Sequence, residues 1–265
     1  MVAKKKLLLG TIVLVAAGAV AVAVSLTLLG RQNASAAVPA ASAKPSISPV
    51  SMATVETVDD ITLPVREYEL FLSQDRAETF AYFQQHYGVA DSANFWTTSH
   101  GGQTPTAYLE HQALTDATKA CAIQELATKY GLVSSFTYAE FLQAWQTQNA
   151  SRSAALANHQ VIYGPTHYSE SDYFTYVSEQ MAEQLQTTLT DKGVIKVTDA
   201  GLESYYDSHR SQFTAATNGP VSFTQMKSVV QQYYVQAAYN TIVAQTTQQA
   251  KVHVDENVLA GIKIN

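Results

Sequence analysis

The chain has 265 residues, with 16 basic and 22 acidic side chains and a net charge of −6, a length that allows one or two domains. Five of the basic residues precede Glu56, the first acidic residue, so the rest of the chain carries 11 basic and 22 acidic side chains, a net charge of −11. Such a surface repels phosphate backbones and excludes nucleic-acid binding. The single cysteine, Cys121, excludes an internal disulfide.

The N-terminal segment is typical of a membrane anchor. Three lysines precede an uncharged apolar run over residues 7–30. Signal-peptide cores span about 7 to 15 residues, whereas about 20 helical residues cross a bilayer. We therefore predict a signal-anchor or transmembrane segment at residues 1–31, with the lysines in the cytoplasm and the body outside it. Cleavage among the small residues 34–36 is the alternative, and it leads to a secreted protein.

A linker rich in alanine, serine and proline follows at residues 32–51, with prolines at 39, 45 and 49. This composition cannot bury a core, and its prolines stiffen an extended chain. We predict a spacer that holds one domain, residues 52–265, away from the membrane.

Amphipathic helices fill most of this domain. Thr137 and Glu140 have the spacing of a capping box, and the stretch after Ser169 has apolar residues three and four apart, as on one helix face. Prolines and glycines supply further starts and ends. The predicted helices run from Pro64 to Gly88, from Pro105 to near Gly131, from Thr137 to before Val161, from Ser169 to about Thr190, from Thr198 through Tyr206, and from Phe223 to near Lys251.

Two short segments alternate apolar and polar residues, which is the pattern of a strand. They are ATVETV around Val55 and KVHVD around Val252. Pairing of these segments would tie the two ends of the domain together. The predicted fold is mainly α, a multi-helix domain with a short two-stranded pairing of its N- and C-terminal segments.

No catalytic or metal-binding motif is present. The seven histidines show no ligand spacing, and the sequence contains neither a cysteine pair nor Gly-x-Ser-x-Gly. Cys121 lies among Ala120, Ala122 and Ile123 and is predicted to pack in the core. We predict no catalytic residue, no metal site and no cofactor.

Two segments resemble a known family. VTDAGLESYYDSHRSQF is similar to the part of SurA/PrsA-like extracytoplasmic foldases that leads from their helical chaperone module into a parvulin-type prolyl isomerase domain. FTQMKSVVQQYYVQAAYNTIVAQTTQQAKVHVDENVL resembles the helix and strand that follow that domain. The resemblance covers most of residues 53–260. It implies a SurA N-terminal-like helical domain that holds unfolded or extended polypeptide.

Between these two segments the chain has only the connector TAATNGP. In the family this position holds a parvulin domain of roughly a hundred residues, which no short connector can accommodate. The histidines and the apolar proline pocket of the parvulin site have no matching positions. The resemblance therefore implies the chaperone module without the isomerase.

We predict a membrane-tethered, extracytoplasmic chaperone that binds unfolded or exported polypeptides in a groove between helices, without catalysis. Two alternatives remain: a divergent peptidyl-prolyl isomerase, and a structural adaptor for one fixed cell-surface partner. The chain has 15 tyrosines and 9 phenylalanines, residues suited either to binding peptide or to core packing. The predicted peptide-binding residues are Phe95, Trp96, Trp145, Tyr163, Tyr168, Tyr173 and Tyr206.

Overall fold

The structure is a computed structural model that describes residues 49–217 and 221–264. Contacts group Ser46–Asn265 as one compact unit. The predicted anchor at 1–31 and nearly all of the linker at 32–51 lie outside the described residues. Within the described ranges, none of the helices combines the length and the apolar character needed to cross a bilayer.

The described part of the chain is mainly helical, which confirms the predicted class. The helices are α1 (Val65–Tyr87), α2 (Pro105–Lys129), α3 (Tyr138–Ala157), α4 (Glu170–Asp191), α5 (Asp199–Ser208), α6 (Arg210–Thr217), α7 (Phe223–Gln249) and α8 (Glu256–Ala260). The strands are β1 (Thr54–Val58), β2 (Ile61–Pro64) and β3 (Val252–Val254), arranged in one antiparallel sheet in the order β2-β1-β3.

The starts of the helices follow from local capping. The Thr104 side chain accepts a hydrogen bond from an amide in the first turn of α2, and Ser169 does the same for α4. Both halves of the capping box formed by Thr137 and Glu140 are present at α3. These side chains satisfy amides that have no partner inside the helix, so the predicted starts agree with the structure to within about one residue.

The predicted pairing of the chain ends is present, but the sheet has a third strand. Thr57 lies opposite His253 in the β1–β3 pair. The third strand is β2 (Ile61–Pro64), where no strand was predicted and whose last residue was predicted to start the first helix; it pairs with β1 through the Asp59-Asp60 turn. Asp59 takes a left-handed φ of 52°, which aspartate tolerates in turns. The four residues of β2 are too few to show the alternating period of a strand in sequence. Their pairing with β1 makes them a strand.

Two short helices also differ from the prediction. α6 extends through Thr217, so part of the predicted TAATNGP turn is helical, and residues 218–220 lie outside the described ranges. α8 follows β3 directly and starts at the Asp255 cap, whose side chain accepts two amide hydrogen bonds. The two helices have eight and five residues, too few for a helical period to be recognised in sequence.

In the described part of the chain, three clusters of buried apolar side chains form the interior. The first joins the sheet to α1, α2, α3, α4 and α8. The second lies where the C-terminal parts of α2 and α4 meet α7, and the third lies between α5, α6 and the N-terminal half of α7. Because α7 contributes to the second and third clusters, it connects α5 and α6 to the remainder of the unit.

Two carboxyl groups lie buried near Cys121, which is itself in the core as predicted. Glu56 accepts a hydrogen bond from the Thr118 hydroxyl at 2.8 Å, and burial raises the pKa of its carboxyl. Glu67 lies in the first turn of α1, and burial raises the pKa of its carboxyl to about 8. Desolvation disfavours the charged form, so the fold holds Glu67 as a neutral acid at neutral pH.

This burial predicts that stability falls as pH rises. The folded pKa of Glu67, about 8, lies above its ordinary value of 4.5, so between these values the folded state binds a proton that the unfolded state releases. The penalty is complete above about pH 8 and absent below about pH 4. We expect Glu67→Gln to raise the free energy of unfolding at about pH 8.5 by roughly 2–4 kcal/mol.

Denaturant titrations at about pH 5 and about pH 8.5 measure this effect. The control is Glu69→Gln, since Glu69 is exposed on the same helix and its replacement should change neither value. Equal gains for Glu67→Gln at both pH values would contradict the prediction.

Candidate protein-binding surface

One face of α3 fixes the connection between α3 and α4. Trp145 Nε1 donates to the Tyr168 carbonyl at 2.9 Å. Asn149 binds both backbone polar groups of Tyr168. Its Nδ2 donates to the Tyr168 carbonyl at 3.0 Å, and its Oδ1 accepts from the Tyr168 amide at 2.8 Å. Residues four apart lie on the same side of a helix, so α3 holds the end of the connection through neighbouring side chains.

Arg152 continues this face by one further turn and holds the middle of the connection. Its Nε donates to the Pro165 carbonyl at 2.6 Å, and its Nη2 donates to the Tyr163 carbonyl. The guanidinium also lies 5.0 Å from the centre of the Tyr168 ring. Arg152 is buried, and carbonyl dipoles and a ring face stabilise its charge.

The fixed connection presents apolar side chains to solvent. Val161 and Tyr163 are 81% and 83% exposed, and Leu156 and Tyr176 on the flanking helices are also exposed. Tyr168 stacks on Tyr176 with ring centres 5.7 Å apart. We call these five residues, Leu156, Val161, Tyr163, Tyr168 and Tyr176, the aromatic edge. Contiguous exposed apolar residues typically mark an interaction site.

The connection between α3 and α4 carries no exposed charge of its own, although Asp172 and Glu179 on α4 are exposed within one turn of Tyr176. Between residues 141 and 169 the only charged residue is the buried Arg152, although the domain as a whole is acidic. The next carboxylate, Glu170, is paired with Arg66 and accepts a hydrogen bond from the Tyr138 hydroxyl. Protein interfaces have this composition at their centres, with tyrosine enriched and charge depleted.

This arrangement favours binding over chemistry. The side chains of the aromatic edge offer apolar area and tyrosine hydroxyls, with neither a base nor a nucleophile among them. In residues 49–217 and 221–264, no group of three or more His, Cys, Asp or Glu side chains is placed to hold a metal ion. The surface can therefore hold a partner by burial of apolar area and by hydrogen bonds.

The structure brings four of the seven predicted binding residues together. Trp145, Tyr163, Tyr168 and Tyr173 lie around the α3–α4 connection. Tyr163 and Tyr168 belong to the aromatic edge. Tyr173 is only 9% exposed and packs on Phe141, while Trp145 is partly buried against the first core cluster.

The other three predicted residues lie elsewhere. Phe95 and Trp96 belong to a short 3₁₀ turn between α1 and α2, where Phe95 is buried and the Arg76 guanidinium lies 4.2 Å over the Trp96 ring. Tyr206 is buried in α5, and its hydroxyl donates to the Val221 carbonyl beside an open cleft of about 450 Å³. These residues do not share one surface with the aromatic edge.

Sequence reasoning did not select Leu156, Val161, Tyr176, Asn149 or Arg152. The signal that could have found the surface is the absence of charge over residues 141–169 apart from Arg152. That signal marks the segment but does not distinguish an exposed valine from a buried one.

Comparisons with known proteins give one informative match. The chain is 22% identical over 150 residues to "Chaperone for lacto-N-biosidase" of Bifidobacterium longum subsp. longum. The match covers 57% of this chain and 53% of the relative, so it spans about half of each protein. No family model and no solved structure matches the chain. The similarity supports a chaperone-like role and adds no support for the closer likeness to SurA/PrsA-like foldases.

The hydrogen bonds from α3 predict the effect of removing Asn149. Asn149→Ala leaves the part-buried Tyr168 amide without its side-chain partner, and an unsatisfied buried group costs about 1–3 kcal/mol. We expect the free energy of unfolding to fall by about this amount, with faster amide hydrogen exchange over residues 161–168. Gln146→Ala, an exposed change on the same helix, is the control. Unchanged exchange in Asn149→Ala would show that the connection is held by other contacts.

Proposed function

We propose that this protein is a membrane-tethered, extracytoplasmic chaperone that binds an exported polypeptide without catalysis, through the aromatic edge. The observation that carries the proposal is a connection held by hydrogen bonds from α3, in which Val161 and Tyr163 are more than four-fifths exposed and which has no exposed charge of its own. The similarity to a chaperone supports the role, and the apolar run at residues 7–30 supports the tether. The alternative of a divergent prolyl isomerase has no support from the comparisons.

The mechanism is reversible shielding of apolar surface. Burial of a side chain such as Val161 or Tyr163 against a client contributes about 1.5–3 kcal/mol relative to exposure. Because Asn149 and Arg152 already order the backbone of the connection, binding loses little conformational entropy there. A few such contacts give an affinity that permits both capture and release.

We further propose that this chaperone serves one client. The relative's name specifies a single enzyme, lacto-N-biosidase, as its client. A fixed, shaped surface suits one complementary partner, whereas promiscuous binders use flexible surfaces that repack. This proposal is compatible with the alternative of a structural adaptor, because a dedicated chaperone and an adaptor both bind one specific partner protein.

Photo-crosslinking in the host cell tests the client proposal. A photoreactive residue at Tyr163 of the full chain should give one dominant adduct with an exported protein. The control is the same residue at Val194, which is exposed in the loop before α5 and outside the aromatic edge. A ladder of many adducts contradicts the single client, and equal adducts from both positions contradict the binding surface.

Substitution of the aromatic edge should weaken client binding while the fold is retained. Val161→Ser with Tyr163→Ser removes two apolar contacts, so we expect the affinity for the crosslinked client to fall about a hundredfold or more. Biolayer interferometry with the full chain in lipid nanodiscs measures the affinity, and thermal melting checks the fold. Val194→Ser with Val252→Ser, two exposed apolar residues elsewhere, is the matched control. Equal losses in the two double variants would show that the surface has no special part in binding.

A further inference from the structure

The outer side of β3 is an unpaired edge of the sheet. In the strand order β2-β1-β3, β3 has a partner on one side only within the described residues. The backbone of Lys251 and of Asp255, which flank β3, is hydrogen-bonded on the β1 side. Because hydrogen bonding alternates along an antiparallel strand, the N–H and C=O groups of Val252 and Val254 point away from β1. Such an edge is a template for pairing with another chain.

The opposite edge of the sheet is protected, and the β3 edge is not. Pro64 ends β2 and has no N–H to donate, and the register of β1 shifts beside it, between Thr54 and Glu56. Proline and bulges are devices that block the addition of a strand. β3 contains neither, and its Val252 side chain is 47% exposed. Among the described strands, β3 is therefore the one open to a further partner.

The two faces of this edge differ in character. Side chains alternate along a strand, so Val252 and Val254 lie on one face, whereas Lys251, His253 and Asp255 lie on the other. Val254 packs against the first core cluster, while Lys251 and His253 are exposed. Within the described residues Lys251 forms no ion pair. The edge thus combines an apolar face with a face that carries an unpaired cation and a carboxylate.

A second copy of β3 complements this edge. In an antiparallel pair centred on His253, Val252 lies opposite Val254 of the second copy, and the outward N–H and C=O groups of the two strands meet. The same register places Lys251 opposite Asp255 of the second copy at both ends of the pair. Both cap hydrogen bonds of Asp255 go to Oδ1, so its Oδ2 can accept from the lysine. Opposite charges and apolar β-branched side chains across a strand pair stabilise it.

We propose that the chain forms a symmetric dimer in which the β3 strands of two copies pair antiparallel and centre on His253. The two sheets then join into one continuous sheet, and by symmetry each contact occurs twice. An exported client is the other candidate partner for an open edge, but the match between Lys251 and Asp255 favours a second copy. The dimer does not depend on the proposed function, since β3 and the aromatic edge share no residue.

Disulfide crosslinking of the full chain in membranes of the host cell tests the register. The two copies of His253 form a non-hydrogen-bonded pair with Cα atoms about 4.5 Å apart, which suits a disulfide. Oxidation of His253→Cys with copper phenanthroline should give a dimer on a non-reducing gel. The control is Lys251→Cys, an exposed position on the same face whose two copies lie about 14 Å apart. We expect at least about ten times more dimer from His253→Cys, and the native Cys121 is buried.

Val252→Pro tests the backbone contact. It removes an N–H that points outward, and it leaves the hydrogen bonds between β1 and β3 in place. Combined with His253→Cys, it should reduce the crosslinked dimer at least about tenfold. Val252→Ile keeps both the N–H and an apolar β-branched side chain, so it should not reduce the dimer. Thermal melting checks the fold of each variant.

Lys251→Glu tests the charge contact without altering the strand backbone. Both ion pairs become pairs of carboxylates, so we expect the dissociation constant of the dimer to rise about tenfold. Sedimentation velocity of the full chain in detergent micelles measures this constant. Lys263→Glu makes the same change in net charge at an exposed position outside the sheet and should leave it unchanged. This variant decides the question even if the proline variant loses stability.

Three outcomes overturn the proposal. They are equal crosslinking of the two cysteine variants, an undiminished dimer in a folded Val252→Pro chain, and equal dissociation constants for the two glutamate variants. Capture of an exported protein instead of a second copy by a photoreactive residue at His253 also overturns it, and identifies a client strand as the occupant. Failure of the Tyr163 crosslink would instead contradict the proposed function and leave the dimer standing.

Discussion

The hydrogen bonds between α3 and the following connection are the constraint on which the candidate surface depends. Asn149 and Arg152 place polar groups in the interior, where each must find a partner or cost free energy. The backbone of Tyr163, Pro165 and Tyr168 supplies those partners. Because the Tyr163 carbonyl is bound from the inside, the Tyr163 side chain is left facing solvent. The same contacts that satisfy buried polar groups therefore create an exposed apolar surface.

Buried side chains fix the aromatic edge, so its shape exists before a partner arrives and can select one partner by fit.

Capping residues and alternating patterns were predictable because they act within a few residues of each other. The Thr137–Glu140 box marks the start of α3, and the patterns around Val55 and Val252 mark strands that pair as expected. β2, α6 and α8 were not predictable in this way, since each is too short to show a period. β2 exists because β1 lies beside it, and α8 exists because Asp255 caps it next to the first core cluster.

The sequence by itself determined the composition of the candidate site: three tyrosines, and one cation with no other charge over residues 141–169. Only the tertiary structure decided which tyrosine is available to a partner. Tyr173 and Tyr163 are ten residues apart and chemically identical, yet Tyr173 is 9% exposed and Tyr163 is 83% exposed. Tyr173 packs on Phe141 across the α3–α4 contact, whereas Tyr163 is held through its backbone by Arg152. That distinction depends on how two helices meet, and no local pattern of residues encodes it.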